Sequence, residues 1–319
     1  MEDVEDLIRQ QTSNDTISPR ASSSYYENYH SLNEIYFWIG VITEQYLDMA
    51  EKIHIVSSSE KSPLYVLKVS EKQQAAKNAI WIDCGIHARE WISPAFCLWF
   101  IAYVTQFYGE ENLYTNLLRY MDFYFMPVVN VDSYEYTWKK NRMWRKNSSF
   151  HENSPCIGTD LNRNFASKHW CEKGASRFSC SEIYCGLYPE SEPEVKAVAN
   201  FLRRNINHIK AYIMMHSYFQ KIVFPYSYNR SKSKDHEELS LLASEAVHTI
   251  ESISKDTRHT YDSGSESLYL APGGPDDWIY DLGIKYSFTI ELRDTGKYGF
   301  LLPKLFIEPP CREALCHCL

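Results

Sequence analysis

The chain has 319 residues, 44% of them hydrophobic, 15% aromatic and 23% charged. This apolar content excludes a disordered chain, and the length suits one large domain, or two small ones, with a sizeable buried core. Its 33 basic and 41 acidic residues give a net charge of −8 without a basic stripe, which argues against a nucleic-acid partner. The start, Met1 to Gln11, is acidic and lacks the apolar core of a secretory leader. Residues 1–24 are polar, and Pro19-Arg20-Ala21-Ser22-Ser23-Ser24 reads as an exposed linker. It is either a plain mobile tail or a place where a trypsin-like protease cuts after Arg20.

From Tyr25 onward the elements alternate. Leu32, Ile35, Trp38 and Ile39 predict a helix within His30 to Met49. Pro63 to Val69 and Ala79 to Ile86 predict strands, and the apolar stretch Trp91 to Phe107 a buried helix. Its longest unbroken apolar run, Ala95 to Val104, is about half a membrane span, so no transmembrane helix is expected. Phe123 to Val131 predicts another strand, followed by a long irregular region with cysteines from Asp132 to Pro189. An amphipathic helix is expected over Glu192 to Asn205, a strand over Lys210 to Met215, a helix over Ser240 to Ser254 and a strand over Tyr286 to Glu291. Strands alternating with helices predict an α/β domain with a mainly parallel or mixed sheet.

Nine cysteines is an odd number, and no CxxC pair occurs, which argues against zinc ribbons and thioredoxin-like redox sites. Asn14, Asn147 and Asn229 each begin a glycosylation sequon. Together with the cysteines, these sequons favour an oxidising, secretory history, and the missing leader then points to a fragment or a truncated product. The chain contains no GxG, GxxxxGK, GxSxG or HExxH, which removes most nucleotide enzymes, serine hydrolases and zincins.

HxxE occurs at His87–Glu90, His169–Glu172 and His248–Glu251. The last lies on a charged helix face and the second in the cysteine loop. Only His87–Glu90 follows an apolar strand and a hinge glycine, Gly85, where α/β folds place ligands. A catalytic metal needs three protein ligands and an open position. The best third candidate is His216, directly after the apolar run Ala211 to Met215, although a lone histidine there is more often structural. Glu291 ends another apolar strand, and a carboxylate placed so costs desolvation unless it has a partner or a task. Together these make the pattern of a His₂Glu zinc site with a separate Glu as general base. Arg145, Asn162 and Arg163 add groups that could bind a carboxylate or an oxyanion.

These residues carry a resemblance. Residues 25 to about 312 are similar to the zinc metallocarboxypeptidases of the pancreatic carboxypeptidase A/B type. The similarity rests on Gly85-Ile-His-Ala-Arg-Glu-Trp91, Arg142-Met-Trp-Arg145, Thr159-Asp-Leu-Asn-Arg-Asn164, Met215-His-Ser-Tyr218 and Ile290-Glu-Leu-Arg-Asp-Thr-Gly296. It implies a single peptidase domain over residues 21–319, with a mixed, mostly parallel sheet flanked by helices and one zinc ion held by His87, Glu90 and His216. It further implies that Asp160 orients His87, that Glu291 activates the metal-bound water, and that Arg145 polarises the scissile carbonyl. Asn162 and Arg163 would grip the terminal carboxylate and Tyr269 close over it. Arg89, Ser217, Tyr218 and Phe300 would line the cleft.

For specificity, the selecting position matches Asp276, with Ser227 at another pocket position. Read alone, Asp276-Asp277 is an acidic turn; read with the resemblance, a buried aspartate selects Lys or Arg. A B-type exopeptidase is implied, removing C-terminal Lys or Arg from peptides, with partly degraded fibrin and basic-ended bioactive peptides as substrates. A secreted plasma zymogen activated by thrombin or plasmin is also implied, with residues 1–20 as a propeptide remnant and Arg20 as the cleavage position. Family spacing pairs Cys84 with Cys97, Cys156 with Cys180, and Cys171 with Cys185, and leaves Cys311 unpaired.

Several positions depart from the family. Ser133 stands where a glycine is expected in the turn Asn130 to Tyr134, and Phe219 where small or polar residues are usual. The C-terminal helix is expected to be largely missing, with an aberrant tail from about 313 to 319 that contains Cys316 and Cys318. The altered end and Ser133 motivate an alternative reading, a catalytically impaired or binding-only truncated isoform.

Overall fold

A computed structural model describes residues 3–12, 23–71, 77–152, 154–254 and 257–318. The expected activation position Arg20 and sequon Asn14 lie outside the described residues. The first element, α1 (Val4–Thr12), is followed by α2 (Leu32–Gln45). Ser31 and Glu34 start α2 with a reciprocal capping box, the Ser31 amide donating to Glu34 Oε2 at 2.7 Å. The chain continues through β1 (Ala50–Ser57), β2 (Pro63–Val69), β3 (Asn78–Cys84), α3 (Ile92–Gln106), α4 (Asn112–Tyr120), β4 (Met121–Met126) and α5 (Val131–Lys139). After a long irregular stretch come α6 (Pro193–Arg204), β5 (Ile209–Ser217), β6 (Lys221–Phe224), α7 (His236–Ile253), β7 (Thr260–Ser263), α8 (Gly264–Ser267), α9 (Pro275–Leu282), β8 (Tyr286–Leu292) and α10 (Glu308–Cys318).

The strands form one 8-stranded sheet in the order β1-β2-β4-β3-β5-β8-β6-β7. Its centre, β4-β3-β5-β8, is parallel, while β2 and β6 pair antiparallel with β4 and β8. The expected mixed, mainly parallel sheet is therefore observed. From β3 the chain passes to β4 on one side, and β5 then returns to the other side of β3. This reversal is a topological switch point, and the carboxyl ends of β3 and β5 open there. The buried side chains of α3, among them Phe96, Trp99, Phe100 and Ile101, cover one face, which is why that helix reads as apolar all round.

Three expectations change. The region after β4 is not irregular from Asp132, because Val131–Lys139 is helical. Ser133 therefore sits inside a helix, outside the positive-φ residues, and carries none of the strain expected for a glycine turn. The C-terminal helix, expected to be largely missing, forms over Glu308–Cys318. Its Cys311, Glu313 and Ala314 are buried, so the first residues of the expected aberrant tail are packed. Glu313 is tolerated there because Arg293 donates to it from Nε at 2.9 Å and also from Nη2, and Thr257 donates from Oγ1 at 3.0 Å.

Asn147 corrects the expectation of a glycan at that position. It is 1% exposed, its Oδ1 accepts from the Thr159 amide at 2.7 Å, and its Nδ2 donates to Glu192 Oε2 at 2.8 Å. A glycan on that nitrogen would have to displace a buried, satisfied hydrogen-bond network. Asn229 stands at a partly exposed turn, its Oδ1 accepting from the Ser231 amide. Glycopeptide mass analysis of secreted protein is expected to find Asn229 occupied and Asn147 bare; occupancy of Asn147 in the folded protein would contradict this packing. Of the cysteines, Cys84–Cys97, Cys156–Cys180 and Cys171–Cys185 are bonded, with Cα–Cα distances of 6.5, 5.1 and 5.6 Å. Cys311 is free and buried.

Candidate active site

The site is built at the carboxyl ends of β3, β5 and β8. After β3 the chain must turn sharply, and Gly85 makes the turn at φ 64°. A Cβ there would stand 3.0 Å from Pro94 Cγ, so a larger residue is both strained and crowded. Ser93 fixes the turn to the neighbouring strand, accepting from the Gly85 amide at 2.9 Å and donating to the Met215 carbonyl at 2.6 Å. His87 and Glu90 follow this turn. On β5, His216 lies beside Glu291 of β8 as its register partner. Sheet register thus delivers the second histidine and the candidate base side by side.

His87, Glu90 and His216 are all buried, and one ligand atom from each lies within 4.8 Å of the others. The Nδ1 atoms of both histidines face the same carboxylate, His87 at 2.7 Å from Glu90 Oε1 and His216 at 2.8 Å from Oε2. Two imidazoles and one carboxylate make a donor set that suits zinc. The outer ring nitrogen of His87 is held by Asp160, whose Oδ1 is 3.2 Å from Nε2. This partner fixes the ring so that Nδ1 points inward. Asp160 is itself held by Arg145, which donates from Nε at 3.2 Å and from Nη2 at 2.9 Å. Burial would raise the Asp160 carboxyl, but the charge of Arg145 and the His87 contact outweigh it and hold the acid well below its ordinary range.

His87, Glu90, His216 and Arg145 line one cleft. Every expected substrate-binding residue reaches it: Arg89, Asn162, Arg163, Ser217, Tyr218, Ser227, Tyr269, Asp276 and Phe300, with Arg145 and Glu291. Arg163 spends Nε on the Gly174 carbonyl at 3.0 Å and Nη1 on the Asn162 carbonyl at 2.7 Å, while its buried Nη2 has no partner. The buried Glu291 Oε2 is likewise unpaired. A donor and an acceptor left unsatisfied in the same cleft are costly unless a ligand uses them. Burial, with the nearby Glu90 charge adding to it, pushes the Glu291 carboxyl up to about 8. Tyr269 is 53% exposed, with its ring 5.8 Å from the Arg163 guanidinium.

The profile of the zinc carboxypeptidase family matches residues 35–316. The chain belongs to the zinc carboxypeptidase family. It is 81% identical over 315 residues to carboxypeptidase B2 of Rattus norvegicus, a match that covers 99% of this chain and 75% of the relative. The crystal structure of thrombin activatable fibrinolysis inhibitor superposes with a TM-score of 0.97 at 77% identity, covering 99% of this chain and 79% of that one. A second structure, bovine thrombin-activatable fibrinolysis inhibitor in complex with tick carboxypeptidase inhibitor, gives 0.88 at 74% identity, covering 92% and 96%. This zinc carboxypeptidase is thus a metallocarboxypeptidase with the mixed sheet of its family.

Other cleft residues carried no motif in the sequence. Gly264 lines the cleft, and a Cβ there would stand 2.0 Å from Ser227 Oγ. Its absence leaves room for the Ser227 hydroxyl, which donates to Asp276 Oδ2 at 2.8 Å. Asp276 and Asp277 are not an acidic surface turn but the buried first turn of α9. Asp277 accepts from the Ser227 and Tyr228 amides, at 2.9 Å from Oδ1 to Ser227 and 2.8 Å from Oδ2 to Tyr228. Thr289, Val223, Leu268 and Ala271 also line the cleft. Among the described residues, no helix is long and apolar enough to cross a membrane.

Proposed function

We propose that this zinc carboxypeptidase removes C-terminal Lys or Arg from peptides and proteins. The observation that carries this reading is Asp276. Three carboxylates, Glu90, Asp276 and Glu291, line the cleft. Glu90 belongs to the metal trio and Glu291 stands beside His216. This leaves Asp276, buried and oriented by Ser227, to face the side chain of the terminal residue. Burial raises the Asp276 carboxyl, and a cationic side chain beside it would return it to the charged form through a strong, charge-assisted hydrogen bond.

The remaining groups follow the chemistry. Bound zinc supplies a water of lowered pKa and polarises a carbonyl. Arg163, with its free Nη2, and Asn162 bind the terminal carboxylate, which restricts cleavage to the last peptide bond. Tyr269 closes over them from the rim. Arg145 faces the scissile carbonyl oxygen, where negative charge develops, and Glu291 takes a proton from the attacking water and passes it to the leaving amine. The three disulfides and the similarity to thrombin activatable fibrinolysis inhibitor support a secreted protein. Arg20 is the position for activation by a thrombin-like or plasmin-like protease, and partly degraded fibrin fits as a substrate that exposes terminal lysines.

Hydrolysis of peptides ending in Arg, Lys, Leu and Phe, with and without a zinc chelator, tests the reading. Basic-ended peptides should be cleaved far faster, and the chelator should abolish the reaction until zinc is restored. Faster cleavage of the Leu or Phe peptides would overturn the assignment of Asp276. Gly264→Ala gives a subtler check. Gly264 lies outside the positive-φ glycines, so the added methyl group acts by displacing Ser227 rather than by backbone strain. The ratio of kcat/KM for Arg-ended over Leu-ended peptides should fall about tenfold, the scale of a lost hydrogen bond to a charged group.

A further inference from the structure

We infer that Phe219 extends the cleft into an aromatic platform that selects large apolar, above all aromatic, substrate side chains upstream of the scissile bond. The inference rests on the cleft direction adopted above, in which the terminal residue enters the end lined by Asp276, Ser227 and Gly264. Upstream residues must then leave past the metal trio and over the opposite rim.

A ladder of rings lines this same cleft. Phe219 follows His216 by three residues, where the chain turns from β5 into β6. Its amide and that of Gln220 both donate to the Leu292 carbonyl, each at 3.2 Å, which ties the turn to β8. Phe219 lines the cleft and is 44% exposed. Its ring centroid lies 4.8 Å from that of Tyr218, and Tyr218 lies 5.0 Å from Phe300. The Arg89 guanidinium sits 4.3 Å from the Phe300 ring and closes the far end.

An extended peptide advances about 3.3–3.6 Å per residue, so two ring-to-ring steps underlie about three substrate residues. Alternate side chains of that strand face the platform. A large apolar side chain there covers wet aromatic surface and gains stacking with it, whereas glycine gains nothing. Without the Phe219 ring the ladder would stop at Tyr218, half its present length. The turn bonds use only backbone atoms, so they do not require phenylalanine. The ring acts on substrate choice rather than on the fold.

The test compares N-blocked peptides that share one C-terminal residue and carry Trp, Leu or Gly at each of the two positions before it. For the native protein, kcat/KM should favour Trp over Gly by about fivefold at one of those positions, with the difference in KM, the scale of an aromatic contact. Phe219→Ser should collapse that ratio to near one, and Phe219→Tyr should keep it. A native ratio near one, or an unchanged ratio in Phe219→Ser, overturns the platform. The ratio is read within a series, so running it with both Arg and Phe as the terminal residue separates the two readings. Cleavage of the Phe series alone would reject the basic pocket while still testing Phe219.

Discussion

Replacing Glu291 by Gln is expected to lower kcat by roughly 10³–10⁴-fold while zinc content and substrate affinity stay close to native, the upper range for removing a general acid–base group. The expectation follows from where the sheet puts this side chain. Glu291 is the register partner of His216, so its carboxyl stands beside the metal trio without belonging to it. Its Oε2 is buried with no partner, so it can take up and return a proton without first giving up a hydrogen bond. Gln keeps the volume and the polar contacts but has no proton to accept or return. The measurements are single-turnover rates, zinc per chain and the affinity of a competitive inhibitor. A loss below about tenfold would remove Glu291 from the proton path. Loss of zinc together with the rate would make it a fourth ligand instead.

The sequence carried this part of the site because each group ends an apolar run. His87 and Glu90 follow Ala79-Ile-Trp-Ile-Asp-Cys84, His216 follows Ala211 to Met215, and Glu291 follows Tyr286 to Ile290. A polar residue there is conspicuous against the pattern that specifies the strand. What sequence could not supply is lateral order. That β5 lies between β3 and β8, so that both histidines meet one carboxylate, depends on pairings far apart in the chain. The strands β1, β6 and β7, at and next to the sheet edges, are illegible for a related reason. In β1, charged Glu51 and Lys52 face outward on a half-exposed edge, and β6 and β7 have four residues each, too few for a period to show.

Burial was the other missing quantity. Asn147-Ser-Ser149 has a valid sequon, but a sequon says nothing of exposure, and the Asn side chain is spent on Thr159 and Glu192. Asp276-Asp277 shows the converse. Two adjacent acids read alone as a wet turn, yet both are buried at the start of α9. Gly264 could not be found at all, because its contribution is the space beside Ser227 that a side chain would fill. Ser133 was misjudged because the local stretch reads as a turn, whereas tertiary packing makes it helical.

Replacing Asp276 by Ala should cut kcat/KM for Arg-ended peptides by roughly 10²–10³-fold or more, and for Phe-ended peptides by far less. Removing one partner of a buried charge pair costs about 3–5 kcal/mol because the other charge is left desolvated and unpaired. Here the orphan would be the substrate guanidinium, left beside the neutral Ser227 hydroxyl. A Phe-ended peptide brings no charge and loses no such bond. The apo protein should tolerate the change, since Asp277 still accepts from the Ser227 and Tyr228 amides and keeps the loop after β6 in place. The discriminating measurement is therefore the ratio of kcat/KM for the two substrates, not either value alone. An equal fall on both would mean that Asp276 shapes the pocket without reading the terminal charge, and the basic-residue assignment would fail with it.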